Sequence, residues 1–192
     1  VGVVERGRAL GAQRVQVGDV LVGIPSPGLR SNGYSMARQV LLGQAGRSLD
    51  APAWPGALHT LADELLRPSV IYAPTVLAAI QAGRSDVDEG VHACAHVTGG
   101  GIPGNLERVL PPDCDASLDR GSWEMPRIFE EIARVGRVHD DEMARVFNLG
   151  IGMILVVGEA ASDAVLRSVH DHFSDATVIG EITPGKGRVL IQ

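Results

Sequence analysis

Three stretches of this chain place small residues and short polar side chains where an apolar run gives way to a turn. The first is Pro25-Ser26-Pro27-Gly28-Leu29-Arg30-Ser31-Asn32-Gly33-Tyr34-Ser35. It follows an expected strand and opens an expected helix. Small residues let a ligand come close to the backbone, and free N–H groups at a helix start attract anions. Ser31 and Asn32 add side-chain donors and Arg30 adds a charge, a set that suits phosphate. The plainer local reading is a turn in which Ser31 or Asn32 caps the helix. The second stretch is Thr98-Gly99-Gly100-Gly101-Ile102-Pro103-Gly104-Asn105. Three successive glycines are costly in chain entropy, so close ligand approach or tight packing is expected there. The third is Phe147-Asn148-Leu149-Gly150-Ile151-Gly152-Met153, where two glycines lead into an apolar run and Asn148 carries an amide that can face a ligand. Taken alone, this last stretch reads more readily as a tight turn.

Other chemistries find less support. Gly99, Gly101 and Gly104 satisfy G-x-G-x-x-G, the spacing of a dinucleotide-binding turn. The run before them carries His92 and His96 and lies in no βαβ unit, so we set that reading aside. No Gly-Lys-Ser/Thr follows, which excludes a P-loop. His92 and His96 share a face of one strand without a third ligand. His139-Asp140-Asp141-Glu142 reads as an acidic first helical turn rather than a metal site. No serine sits in a nucleophile elbow, and Cys94 and Cys114 form no CxxC pair. They are expected as buried, reduced thiols. Catalytic residues remain unassigned at this level, and no metal ligands are named.

The elements that must position these stretches follow from periodicity and turn residues. Strands are expected at 1–4, 20–24, 91–97 and 153–157, and within 114–118. Residues 177–182 and 188–191 read as a closing hairpin around Pro184-Gly185. Helices are expected from 32 or 33 to 42, and at 58–66, 74–82, 103–110, 128–136, 140–147 and 162–173. Residues 43–55 read as an irregular connection and 83–90 as a polar loop. Strands and helices alternate irregularly, so the expected class is α+β, a mixed sheet layered with helices, rather than a doubly wound sheet.

Composition narrows the function class. The 192 residues are 45% hydrophobic and 21% charged, enough to bury a core, and the 24 glycines fall in clusters rather than a repeat. The net charge is −6 and Lys186 is the only lysine. No basic stripe or aromatic platform points to nucleic acid, and no apolar run has the length of a membrane span. The opening residues lack the basic leader and apolar stretch of a signal peptide. The chain starts without Met and reads like a strand, which raises the expectation of a fragment.

The three stretches occur together and in order in one family. Gly18-Asp19-Val20-Leu21-Val22-Gly23 with Gly28-Leu29-Arg30-Ser31-Asn32-Gly33-Tyr34-Ser35 resembles the opening of the C-terminal domain of the AIR synthetase (phosphoribosylformylglycinamidine cyclo-ligase) family. His96-Val97-Thr98-Gly99-Gly100-Gly101, with Asn105-Leu106 and Arg108-Val109-Leu110-Pro111, is similar to its glycine-rich segment. Trp123, Pro126, Ile128, Phe129, Glu142-Met143, Arg145 and the 147–153 stretch complete the match. The resemblance implies one domain over 1–192, with 1–17 a linker strand from an absent N-terminal domain. It implies that formylglycinamidine ribonucleotide (FGAM) and ATP, with Mg2+, meet in a cleft between the two domains of a cytoplasmic homodimer. The N-terminal domain would supply much of the ATP site and a barrel-like dimer contact. It further implies that Arg30, Ser31, Asn32, Gly33, Thr98, Gly99, Gly100, Gly101 and Asn148 bind substrate or nucleotide phosphate. Which glycine loop takes which ligand stays open. The FGAM synthetase that acts one step earlier and a non-catalytic binding paralogue are the alternatives. The family usually carries Ser-Ser-Gly and a His before Ser-Asn-Gly-Tyr. Here Pro27 and Arg30 stand in those places, so Arg30 either takes a phosphate itself or marks a divergent paralogue.

Overall fold

Continuous apolar runs build the centre of the sheet. In the computed structural model, which describes residues 3–83 and 90–192, β1 (Val20–Pro25) and β4 (Ile151–Val157) pair antiparallel and are buried along most of their length. Strands apolar on both sides must be covered on both sides. Around them lie β2 (Val91–His96), β3 (Cys114–Leu118), β5 (Thr177–Pro184) and β6 (Val189–Ile191), in the order β2-β4-β1-β5-β3-β6. All pairings are antiparallel except that of β3 with β6. This is the mixed α+β sheet expected from the sequence.

The helices are α1 (Tyr34–Arg38), α2 (Leu61–Leu65), α3 (Ala73–Ala82), α4 (Gly101–Leu106), α5 (Arg127–Gly136), α6 (Asp140–Val146) and α7 (Ser162–His170). On one sheet face Leu21, Ala93, Ile154 and Val156 pack with Ile102 and Leu106 of α4. On the other, Val22, Ile24 and Leu155 pack with Ala79 of α3 and with Val165 and Val169 of α7. A third apolar cluster joins α1, α2, α5 and α6 through Ala37, Leu61, Phe129, Ile132 and Met143, with Leu41 and Phe147 just beyond the ends of α1 and α6. Among the described residues no helix is long and apolar enough to cross a membrane.

Several boundaries differ from expectation for local reasons. The helix expected at 58–66 starts at Leu61, because Thr60 and Asp63 form a capping box. α1 does not run regularly to residue 42; it widens into π-helical turns over Gln39–Gln44. The helix expected at 103–110 begins two residues earlier, at Gly101, and tightens into a 3-10 turn over Glu107–Val109. α7 stops at His170 rather than at residue 173. Of the strand expected at 1–4, Val1 and Gly2 lie outside the described residues. Val3 and Val4 are exposed and belong to no strand, because a strand needs a neighbouring ladder. Of the polar loop expected at 83–90, residues 84–89 lie outside the described residues. Cys94 and Cys114 are free thiols, and burial pushes Cys94 up to about 11.

The closing hairpin is the largest correction. β6 does not fold back on β5 but runs parallel to β3. The Asp115 carboxylate explains the detour. Its Oδ1 accepts from the Lys186 N–H at 2.6 Å and the Arg188 N–H at 2.8 Å, and its Oδ2 meets the Arg188 guanidinium at 3.2 Å. The turn after Pro184 is therefore wrapped around a residue of β3. The backbone donors of Lys186 and Arg188, aided by the Arg188 charge, hold the Asp115 carboxyl below its usual range. A carboxylate lowered in the folded state contributes stability that is complete above the unfolded value, about 3.9. That contribution is lost as pH falls through the lowered folded value. Asp115→Asn is therefore expected to flatten the acid limb of the stability–pH curve. Urea midpoints between about pH 2 and 6 check this; parallel curves for the two proteins would refute it.

Candidate functional site

Strand direction brings the three small-residue stretches together. Pro25, at the end of β1, pairs with Ile151 at the start of β4, and His96, at the end of β2, pairs with Met153. The chain leaving β1, the chain leaving β2 and the chain entering β4 thus meet at one end of the sheet. Hydrogen bonds tie them. The Ser26 N–H donates to Gly150 O at 2.7 Å, and the Val97 N–H donates to Gly152 O at 3.0 Å.

Asn148 holds the first stretch to the third. It is only 3% exposed; its amide donates to Gly28 O at 2.8 Å, and its Oδ1 accepts from the Gly150 N–H at 2.8 Å. Its polar atoms therefore serve the loop junction. Gly33 permits the same closeness, since a Cβ there would lie 2.2 Å from the Phe147 ring. Between the first and second stretches, Asn32 Oδ1 comes to 3.4 Å from where a Cβ on Gly99 would sit. The glycine loop is held from within by Asn105, buried on α4. Its amide donates to Gly101 O at 2.7 Å and to Gly99 O at 3.3 Å, while the Thr98 hydroxyl donates to its Oδ1 at 3.1 Å.

Arg30 is turned inward. It is only 7% exposed and sits at φ +58°, a left-handed conformation uncommon outside glycine. Its Nη2 donates to Val97 O, its Nη1 lies 3.5 Å from Gly152 O and 3.2 Å from His96 Nε2, and its Cζ lies 5.9 Å from the Tyr72 ring centre. Among the described residues no carboxylate pairs with it, and its Nε is buried without a hydrogen-bond partner. A buried cation balanced only by carbonyl dipoles and a ring face leaves a positive field at the loop mouth. Burial and the Arg30 charge together pull the His96 pKa below its usual value. Burial raises that of Tyr72, against the pull of Arg30.

The outcome is a split among the site residues named from sequence. Ser31, Asn32, Thr98, Gly99 and Gly100 are exposed or half-buried and form an open strip of hydroxyl, amide and backbone groups; Gly33 is half-buried beside it. Arg30, Gly101 and Asn148 lie beneath it. Sequence reasoning passed over Tyr72, which has no motif signal; it placed Asn105 and His96 in the glycine-rich pattern without a site role, and weighed His96 otherwise only as a metal candidate. Among the described residues no three His, Cys, Asp or Glu side chains gather around one point. His92 instead meets Asp19 at 2.8 Å in the core. The strip suits phosphate oxygens, which accept hydrogen bonds and carry negative charge. It offers no carboxylate set of the kind Mg2+ requires.

The family model described as AIR synthase related protein, C-terminal domain, matches residues 16–192. Phosphoribosylformylglycinamidine cyclo-ligase of Pseudothermotoga lettingae is 40% identical over 192 residues, 100% of this chain and 54% of that protein. The chloroplastic enzyme of that name from Arabidopsis thaliana is 41% identical over 187 residues, 97% of this chain and 46% of that protein. The chain thus spans about half the length of the curated relatives it matches. A hydrogenase maturation protein HypE solved in complex with ATP shares the fold, with a TM-score of 0.61 at 14% identity over 98% of this chain and 51% of that one.

Proposed function

We propose, from the premise that this chain belongs to the family of AIR synthase related proteins through their C-terminal domain, that it forms one half of an ATP-dependent cyclo-ligase of purine biosynthesis. The full-length enzyme converts FGAM and ATP to aminoimidazole ribonucleotide, ADP and phosphate. Phosphoryl transfer from ATP activates the formyl-derived amide oxygen of FGAM. An amine of the same molecule then attacks that carbon, the imidazole ring closes and phosphate leaves. The observation that carries this reading is identity of 40% along the whole chain to proteins named as cyclo-ligases. Those names favour neither an FGAM synthetase nor a binding paralogue.

Within the reading, the residues of this chain bind and orient. Both substrates carry phosphate, and the strip of Ser31, Asn32, Thr98, Gly99 and Gly100 supplies donors above the buried Arg30 charge. Holding the reacting groups in near-attack geometry is the larger part of such catalysis. The HypE solved with ATP supports nucleotide use on this fold. Mg2+ and most of the ATP contacts belong, in this reading, to the other half of the full-length protein, as does the homodimer contact. We place the enzyme in the cytoplasm.

Complementation of a purine auxotroph by the full-length gene tests the activity, and failure of an expressed, folded protein to restore growth would sink it. The 192-residue chain alone is expected to show no ATP-dependent ring closure. Ser31→Ala with Asn32→Ala in the full-length enzyme should raise KM about tenfold, the worth of one or two lost hydrogen bonds. Unchanged kinetics would remove these residues from the binding strip; they do not cap α1 either, whose N-cap is Gly33 without a side-chain cap bond.

A further inference from the structure

The proposed function uses Arg30 only as a buried charge and leaves its inward hydrogen bonds without a task. Guanidinium nitrogens donate and never accept. The 3.2 Å contact of Arg30 Nη1 with His96 Nε2 therefore has one sense, with the arginine donating and Nε2 accepting. An imidazole that accepts at Nε2 is neutral and carries its proton on Nδ1. That is the tautomer a solvated histidine side chain favours less, so its selection here comes from Arg30. The ring is further fixed by an edge-on contact with Tyr72, centroids 5.9 Å apart. Tyr72 is in turn anchored by its hydroxyl on Pro25 O at 2.8 Å and by stacking on Phe173 at 5.6 Å. His96 itself is exposed, and its Nδ1 meets no hydrogen-bond partner among the described residues.

We propose that Arg30 is a positioning residue that locks His96 as its neutral Nδ1–H tautomer. His96, exposed at the end of β2, then offers that N–H to a phosphate oxygen. Three observations on Arg30 support a fixed task. It holds a left-handed backbone conformation that is strained in a non-glycine residue. It is buried without a carboxylate. It leaves its Nε unbonded while both terminal nitrogens turn to the end of β2 and to β4. The groups facing His96 are Arg30 from the turn after β1 and Tyr72 from the cap of α3. The first disfavours a protonated imidazole, and the second stays neutral because burial raises its pKa. The assignment of phosphate to this N–H rests on the proposed function; the tautomer does not.

The test uses the full-length protein labelled with 15N-histidine, with His96 assigned by loss of its signals in His96→Gln. Long-range 1H–15N spectra at neutral pH should show Nδ1 protonated and Nε2 bare, and added inorganic phosphate should shift Nδ1. Arg30→Met should turn His96 to the Nε2–H form and raise its titration midpoint. It should also raise KM about tenfold with kcat little changed, as expected for a lost charge-assisted contact. An Nε2–H or doubly protonated His96 in the unsubstituted protein overturns the proposal, whether or not Arg30→Met folds. So does an Arg30→Met protein that keeps the Nδ1–H form, or an Nδ1 signal that ignores phosphate. A protein with the expected tautomer and phosphate response that closes no ring overturns the cyclo-ligase reading and leaves this one standing.

Discussion

Gly101→Ala is expected to destabilise the domain by about 4 kcal/mol or more, combining overpacking with backbone strain. A Cβ at this position would lie 1.8 Å from Ala144 O and 2.9 Å from Phe147 O, with φ at +62°. Both contacts are backbone atoms at the end of α6, so no rotamer change relieves them, and α4 would have to part from α6. Gly100 provides the control within the same loop. Its Cβ would meet nothing nearer than Gly104 Cα at 3.6 Å, and only its φ of +98° resists substitution. Gly100→Ala should therefore cost about 1–3 kcal/mol of strain and leave a folded protein. The two variants separate the reasons for which a glycine run exists. Gly101 serves packing, and Gly100 and Gly99 serve the open strip. Denaturant midpoints of both variants decide the matter, and a Gly101→Ala protein as stable as the parent would refute the packing role.

The sequence made the three stretches legible because each carries a mark of its own, glycines and short polar residues at the end of an apolar run. It did not show how they divide the work. Gly99, Gly100 and Gly101 are identical in sequence, and only the position of α6 separates the one beneath the surface from the two upon it. Arg30 is the clearest case. A charged residue beside Ser31 and Asn32 reads as a phosphate ligand, since charge belongs at the surface by default. A left-handed φ in a residue other than Gly, Asn or Asp has no sequence signal, and that φ is part of what turns the side chain inward. Asn148 read as an amide for a ligand; its placement between two loops depends on one carbonyl, that of Gly28, 120 residues away in sequence. β6 was read into a hairpin because proximity in sequence favours one. The Asp115 carboxylate that captures the turn lies far upstream, and nothing local announces it. Elements set by their own periodicity, such as β1, β4 and α5, were legible for the opposite reason.

Gly152→Ala should be the most damaging change at the base of the site itself. Its φ lies outside the left-handed region, so alanine is tolerable to the backbone. The obstacle is space. A Cβ would lie 1.9 Å from the Tyr72 hydroxyl, 2.6 Å from Tyr72 Cζ and 3.1 Å from Arg30 Nη1. Tyr72 cannot yield freely, because its ring is stacked on Phe173 and its hydroxyl is bonded to Pro25 O. Displacing it loses that hydrogen bond and disturbs the contacts that hold Arg30 and His96. We expect a loss of about 3 kcal/mol for Gly152→Ala, and about 1 kcal/mol for Tyr72→Phe, which removes one hydrogen bond. The two should not add. Without the hydroxyl the nearest clash is gone, so the double variant should be more stable than the sum of the single losses by at least about 1 kcal/mol. Urea denaturation of the four proteins closes the cycle. Strict additivity would mean that the glycine is there for another reason, and that the Tyr72–Arg30–His96 cluster does not depend on the space it leaves.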